Sequence, residues 1–201
     1  MTLLAAMRHA PTAWNAARRL QGRADIPLAP ESRMALAALR LPVAFAGWRV
    51  LSSPLARCME TARALGLAPE PEPALVEMDW GAWEGETLSA LRARLGKRMR
   101  EAEARGLDFR PDGGESPREV QARLRPLLAR LAAEGAPCLA VTHRGVLRAL
   151  LAAATGWDMT GDAPRKLARH GAIHVFRLAA DGTPAIERLD VELSPADHRT
   201  A

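Results

Sequence analysis

The chain reads as an α/β protein: a three-layer sandwich with a mainly parallel sheet, an antiparallel edge and helices on both faces. Three observations predict this. Short apolar runs alternate with segments of helical periodicity along most of the 201 residues, the signature of strand–helix units around a parallel sheet. The run CLAVTH at 138–143 passes directly into an apolar segment of helical period that reaches about residue 154. Near the C-terminus two alternating runs, 172–179 and 184–192, flank ADGT and form the pattern of an antiparallel hairpin.

The remaining elements follow from local signals. TLLAAM at 2–7 is a short apolar run, read as a buried strand. ESRMALAALR at 31–40 places apolar residues at helical spacing. WRVLSS at 48–53 is a second strand, followed by a helix that has Pro54 in its first turn and runs to about Gly66. ALVEMDW at 74–80 admits a third strand or an extended loop. A charged amphipathic helix over 87–104, a Pro/Gly loop RPDGGESP at 110–117 and a helix over 118–133 complete the order. No internal repeat or long linker interrupts it, so 1–193 is read as one domain and 194–201 as a flexible tail.

Bulk properties narrow the class. With 48% hydrophobic and 25% charged residues the balance is globular. The uncharged runs fall well short of a membrane span, and MTLLAAMRH lacks the charged start and long apolar stretch of a signal peptide. These features predict a soluble, cytoplasmic protein without a membrane partner. Cys58 and Cys138 lie in separate apolar-periodic segments with no CxxC or Cys/His pattern, so neither a disulfide framework nor a metal site is expected. The net charge of +5 rests on 26 Arg against two Lys, spread along the chain, and aromatics make up 4% with no Tyr. That is coding bias rather than a nucleic-acid stripe, and the stacking platform for single strands is missing. The exposed face of the hairpin suits pairing between copies, so the chain is read as a monomer or a homodimer.

Ligands in open α/β sheets bind beyond the carboxyl ends of the strands. Arg8-His9, Ser52-Ser53 and Thr142-His143 all fall there. Taken singly, a strand-end His is a cap, Arg8 or Arg57 a solvated charge, and Glu77 a loop carboxylate. Together, two His, two Arg and a Glu delivered from separate strand ends can converge on one tetrahedral dianion.

Four ordered blocks carry a resemblance: MRHAPTAWN…RLQGRADIPL, SSPLARCMETA, EMDWGAWEG with GGES after it, and AVTHRG. Nearly the whole chain thereby resembles the histidine phosphatase superfamily, the phosphoglycerate-mutase-like proteins, with a likeness to compact α-ribazole phosphatase-type members. The resemblance implies that His9 is the nucleophile, Glu77 the proton donor, and Arg8, Arg57, Asn15 and His143 the phosphate binders, with His143 also counted among the catalytic groups. No metal or other cofactor is implied, because guanidinium forks do the neutralising. It also implies a small phosphorylated substrate, with selectivity assigned to Thr12, Gln21, Gly22, Arg19, Arg23 and Arg144.

That assignment meets the demands of the chemistry. A phosphomonoester dianion repels nucleophiles and has a poor leaving group, so its charge must be neutralised, a nucleophile held in line and a proton supplied. His9 must attack through an unprotonated ring nitrogen while the other nitrogen donates to a backbone carbonyl. Glu77 gains from a raised pKa. Two departures stand out: the family's Gly after the nucleophile is Ala10, costing roughly 1–2 kcal/mol if the position needs a positive φ, and Arg144 replaces a Gly after the second histidine. Trp80 and Trp83 are read as packing on the sheet edge, the 87–117 segment as the cover of the site, and His170, His174 and His198 carry no motif. The expected function is a metal-independent phosphatase. The alternatives are a phosphoglycerate mutase, disfavoured by the compact 87–117 segment, and a catalytically silent phospholigand-binding module.

Overall fold

The computed structural model describes residues 1–168 and 170–196. Its strands are β1 (Thr2–Arg8), β2 (Leu39–Arg40), β3 (Arg49–Ser52), β4 (Glu70–Pro71), β5 (Cys138–Thr142), β6 (Ala172–Leu178), β7 (Pro184–Glu192) and β8 (Ser194–Pro195). Its α-helices are α1 (Ala13–Ala16), α2 (Pro30–Ala37), α3 (Ala56–Ala64), α4 (Leu88–Leu95), α5 (Lys97–Glu103), α6 (Pro117–Glu134) and α7 (Arg144–Thr155). The main sheet runs β4-β3-β5-β1-β6-β7. Its first four strands are parallel, and β6 and β7 form the antiparallel edge, as the sequence pattern predicts.

The period of two along the central strands builds both cores. Leu4 and Ala6 of β1, with Cys138 and Ala140 of β5, face the layer of α6 and α7, where Leu124, Leu128, Leu131, Val146, Leu147 and Leu150 are buried. Ala5 and Met7, with Leu139 and Val141, face the opposite layer, where Leu36 of α2 and Cys58, Ala62 and Leu65 around α3 pack. Every residue of β5 is buried, consistent with its place between β3 and β1. Both cysteines are buried free thiols.

Register sets the rim. Arg8 of β1 pairs with Thr142 of β5, and Ser52 of β3 with Val141. Two further hydrogen bonds extend the ladder past the strand ends: His9 N–H donates to Thr142 O at 2.9 Å, and Ser53 N–H to Val141 O at 2.9 Å. His9, Ser53 and His143 are thereby brought to one edge.

Several boundaries differ from the sequence reading. Residues 74–80 contain no strand: a 3₁₀ turn covers Pro73–Leu75, and the strand beside β3 is the upstream Glu70–Pro71. Glu72 accepts from Ala74 N–H, and Thr142 Oγ1 donates to Leu75 O at 2.8 Å, so the segment crosses the strand ends instead of extending along them. The helix expected over 87–104 breaks at Gly96, whose φ of +53° suits a residue without Cβ. Leu91 of α4 and Met99 of α5 then both reach the small core around Trp83. The helix expected over 31–40 ends at Ala37, and Leu39–Arg40 pairs with β8. Ser194 and Pro195 are therefore tied into structure rather than part of a loose tail, and Ala196 N–H donates to Ala38 O; residues 197–201 of the expected tail, His198 included, lie outside the described residues. Among the described residues no helix is long and apolar enough to cross a membrane.

GGES has a structural role here. Ser116 caps α6 in a capping box with Glu119, and Pro117 occupies the first turn. Glu115 accepts from Arg123 at 2.8 Å and from Asp79 N–H at 3.3 Å, fastening the Glu77 loop to the head of α6. Ser116→Ala is expected to lower stability by about 1 kcal/mol and leave catalytic constants within about twofold, as read by urea unfolding beside steady-state kinetics.

Candidate active site

Arg8, His9, Arg57, Glu77 and His143 are delivered to the same rim, each from a different structural cause. His9 is 2% exposed and directly follows β1. Its Nδ1 lies 2.7 Å from Ala10 O. A carbonyl only accepts, so Nδ1 carries the proton and Nε2 presents its lone pair. Burial, then the Arg8 and Arg57 charges, press the His9 pKa well below 6.5, so the ring is neutral. Ala10 is absent from the residues of positive φ, and its N–H donates to Thr61 Oγ1 at 3.0 Å. The position therefore tolerates a Cβ without the backbone strain that replacing Gly would otherwise imply.

Arg57 lies in the first turn of α3 and has no exposed surface. Its Nη2 donates to Gly22 O at 2.7 Å, Nη1 to Ala24 O at 2.8 Å, and Nε to His143 Nδ1 at 3.3 Å. Three of its five N–H groups are thus used for aiming, which leaves two for an anion. Thr61, one helical turn later, donates to Arg57 O while accepting from Ala10 N–H. It couples the turn after His9 to the arginine helix.

Because Arg57 Nε must donate, His143 Nδ1 accepts, and Nε2–H points to Ser53 Oγ at 2.8 Å. His143 is fully buried, and its ring lies edge-on to His9 with centroids 5.2 Å apart. Burial, then Arg57, holds its pKa well below 6.5. The hydrogen bond that the sequence assigns from His143 to phosphate therefore requires exchange of Ser53 as partner. Cys58 Sγ lies 3.4 Å from His143 Nε2, and burial pushes this thiol above the usual range, so it packs as an un-ionised group.

Glu77 is 6% exposed. Its Oε1 accepts from Met78 N–H at 2.8 Å and its Oε2 from Gly145 N–H at 3.1 Å, at the start of α7. Burial raises its pKa against the opposing pull of these bonds and of Arg57 and Arg8. A Cβ at Gly145 would overlap Glu77 Oε1, so the acid seats only over glycine.

The surrounding residues separate into two groups. Thr12, Asn15 and Gln21 form a connected unit: Asn15 Oδ1 accepts from Thr12 N–H at 2.9 Å, and Gln21 Nε2 donates to Thr12 Oγ1 at 2.7 Å. Asn15 Oδ1 is committed there, leaving its amide N–H groups as the donors for a ligand. Gln21 Oε1 is buried without a hydrogen-bond partner among the described residues. Gly22 is held by its backbone, with its N–H on Glu84 and its carbonyl on Arg57. Arg19, Arg23 and Arg144 are exposed. Arg19 lies over Trp14 at 6.0 Å, and Arg23 is 3.7 Å from both Asp79 and Glu115. Arg144 opens α7. Trp83 is buried and Trp80 half-buried, and both meet Phe109 edge-on: they pack, as expected, but against Phe109 and the small core of Leu91 and Met99 rather than on the sheet edge.

Sequence reasoning assigned no role to Ser53, Thr61, Glu84, Gly145 and His170. Thr61 was legible as the Thr one helical turn after Arg57; Glu84 and Gly145 act on or through backbone N–H groups, and Ser53 and His170 through side-chain contacts between residues far apart in sequence, and spacing reveals neither. His174 is buried and 3.4 Å from Asp190, away from the rim residues, with burial lowering its pKa.

Comparison with known proteins gives the family. Residues 4–197 match the histidine phosphatase superfamily (branch 1), and the chain belongs to that family. It is 33% identical over 200 residues to a 2,3-bisphosphoglycerate-dependent phosphoglycerate mutase of Methylobacterium radiotolerans, covering 91% of this chain and 92% of that protein. It is 34% identical over 166 residues to a glucosyl-3-phosphoglycerate phosphatase of Mycobacterium tuberculosis, covering 75% of this chain and 74% of the relative. The solved mycobacterial glucosyl-3-phosphoglycerate phosphatase in complex with VO3 superposes with a TM-score of 0.73 at 29% identity, covering 96% of this chain and 98% of that one.

The depressed histidines make stability depend on pH. A folded pKa below the unfolded value of 6.5 gives stabilisation that is complete above that value and is lost as pH falls. Glu77 has the opposite sign: its contribution is complete below the unfolded value of 4.5 and is lost as pH rises through its raised folded pKa. Between about pH 7 and 5, wild type is therefore expected to lose more stability than His9→Asn, by up to about 1.4 kcal/mol per pH unit. Denaturant unfolding of both proteins across that range checks this; parallel curves would contradict a neutral, depressed His9.

Proposed function

We propose that the chain is a metal-independent phosphatase that hydrolyses a small phosphomonoester through a phosphohistidine on His9. The observation that carries the reading is the His9 tautomer. Its Nδ1–H is given to Ala10 O, so the Nε2 lone pair is free beside two arginines that lower the ring's pKa.

The steps balance with groups of this chain alone. His9 Nε2 forms a bond to phosphorus while the ester P–O bond breaks. Glu77, whose pKa burial raises, gives its proton to the leaving alkoxide. Water then attacks phosphorus, its proton passes to Glu77, the P–N bond breaks, and His9 is neutral again. Arg8 and the two remaining N–H groups of Arg57 carry the phosphate charge, with Asn15 and His143 as further donors. Selectivity for the leaving group falls to Thr12, Gln21 and the exposed Arg144; Gly22 is held by its backbone, and Arg19 and Arg23 already lie over Trp14 and near Asp79 and Glu115. A buried, unpartnered Gln21 Oε1 suits a substrate hydroxyl, because an unsatisfied acceptor costs about 1–3 kcal/mol.

The likeness to a phosphoglycerate mutase supports a second reading, in which the phosphohistidine returns its phosphoryl group to substrate. Chain length does not separate the two, since this chain covers 92% of that mutase. The balance rests on what the phosphohistidine meets, water or a second hydroxyl.

Phosphate release from p-nitrophenyl phosphate and from an alkyl phosphomonoester, both with EDTA present, tests the proposal. Wild type is expected to turn over both, and His9→Ala neither. Glu77→Gln should lose roughly 10²–10⁴-fold on the alkyl ester and far less on the nitrophenyl ester, whose leaving group departs without a proton. Phosphoryl transfer between phosphoglycerates in the presence of a bisphosphate primer, without net release, would select the mutase. Phosphate binding with no turnover of any ester would leave a silent binding module.

A further inference from the structure

His170 stands in the segment that leads into β6, far in sequence from the four motif blocks, yet its ring meets the nucleophile and its neighbour. Nε2 lies 3.3 Å from Arg8 Nη1, and Nδ1 lies 3.2 Å from the backbone oxygen of His9. The partners fix the tautomer. A guanidinium has only donors, so Nε2 presents a lone pair to Arg8; a carbonyl only accepts, so Nδ1 donates its hydrogen to His9 O. Only the neutral ring satisfies both contacts, since a second N–H would oppose the Arg8 fork.

We propose that His170 is a positioning residue that aims Arg8 at the phosphoryl group and pins the peptide joining His9 to Ala10. Its effect on turnover rests on the phosphatase reading, and its effect on anion binding does not. A guanidinium clamp is effective only when its planar fork is pre-aimed, because Arg otherwise loses rotamer freedom on binding. For Arg57 the aiming is done by Gly22 O, Ala24 O and His143. Arg8 is only half-buried and extends from the last residue of β1, and His170 supplies a lateral contact to it. The second contact acts on the nucleophile. His9 is held by its N–H to Thr142 O on one side and, through His170, by its carbonyl on the other. The next carbonyl, Ala10 O, is the one that fixes the His9 ring. His170 thus holds the peptide plane immediately before the group that sets the nucleophile's tautomer.

The test compares wild type with His170→Ala, His170→Gln and His170→Asn. Gln extends far enough to offer Arg8 an acceptor, whereas Asn is too short for Arg8 and can only replace the donor to His9 O. The readouts are KM and kcat for p-nitrophenyl phosphate, the affinity for orthophosphate by calorimetry, and the unfolding midpoint. His170→Ala is expected to raise KM and weaken orthophosphate roughly tenfold, the scale of one hydrogen bond to a charged group, with a smaller change in kcat. His170→Gln should recover most of the orthophosphate affinity, and His170→Asn should not. Orthophosphate affinities of Ala and wild type within about twofold, or Gln no better than Asn, would overturn the proposal. If His170→Ala does not fold, the Gln and Asn pair decides by the same criterion. Wild type that binds orthophosphate but turns over no ester defeats the phosphatase reading alone, because the orthophosphate affinities still test the role of His170.

Discussion

The site depends on a buried cation whose own protein contacts leave charge to spare. Arg57 has no exposed surface, and its three hydrogen bonds go to two carbonyls and a histidine, not to a carboxylate. Taking a guanidinium out of water is expensive, and carbonyl dipoles offset only part of that cost. Much of the rim serves to hold this charge in place. The 22–24 loop is fastened on its other side by Glu84, which accepts from the N–H groups of Gly22 and Ala24. Asp25 accepts from Ala56 N–H at the start of the same helix. Backbone oxygens on one side and a carboxylate on the other make the loop a clamp around the arginine. What the clamp leaves uncompensated is positive potential, and that is what a phosphate dianion would meet.

The same potential sets the state of the other groups. Two histidines beside two guanidiniums stay neutral because burial and like charge act in the same direction. One of them can then offer a lone pair at a pH where an exposed imidazole is partly protonated. Glu77 feels the arginines in the opposite sense, and only its burial keeps its pKa raised. Its seat against Gly145 N–H and Met78 N–H fixes both oxygens while holding the carboxyl away from solvent. On the proposed reading, burial is the cause the two groups share: it lowers the nucleophile's pKa together with the positive charges and raises the acid's pKa against them.

How much of this the sequence exposes depends on whether a role belongs to a side chain or to a backbone atom. The sandwich was legible because burial of both faces of β1 and β5 leaves continuous apolar runs, and the hairpin because period-two alternation flanks a turn. The five rim groups were legible because each sits at a strand end or within a motif of fixed spacing. Gly145 was not, since its role is to leave room for Glu77 and to offer an N–H. Ser53 was visible at the rim, but nothing in SSPLARCMETA shows that its Oγ accepts the hydrogen bond from His143 Nε2–H. The break at Gly96 escaped periodicity because Leu91 and Met99 are eight residues apart, close to the repeat of an unbroken helix, yet a left-handed residue turns the chain between them. Residues 74–80 admit strand or loop on sequence alone because, apolar and short, they satisfy a strand pattern; the loop forms because Thr142 and Glu72 claim backbone groups of the segment's first turn.

The division between rigid clamp and variable surround bears on specificity. Gly22 and Ala24 are held through their backbones by Arg57 and Glu84, so this loop supplies geometry rather than recognition. On the proposed reading, recognition is left to side chains that the clamp does not consume: the unpartnered oxygen of Gln21, the free amide hydrogens of Asn15, and Arg144 at the exposed start of α7. Arg23, by contrast, already lies near Asp79 and Glu115, and Arg19 over Trp14, which weakens their claim on a substrate. A phosphatase and a mutase can share the entire buried constellation, because both require the same neutral histidine between the same cations. They diverge only in whether the surround admits water or holds a second hydroxyl against the phosphohistidine. On the proposed reading, the chemistry of the rim therefore sets the intermediate, and the few unconsumed polar groups above it set its fate.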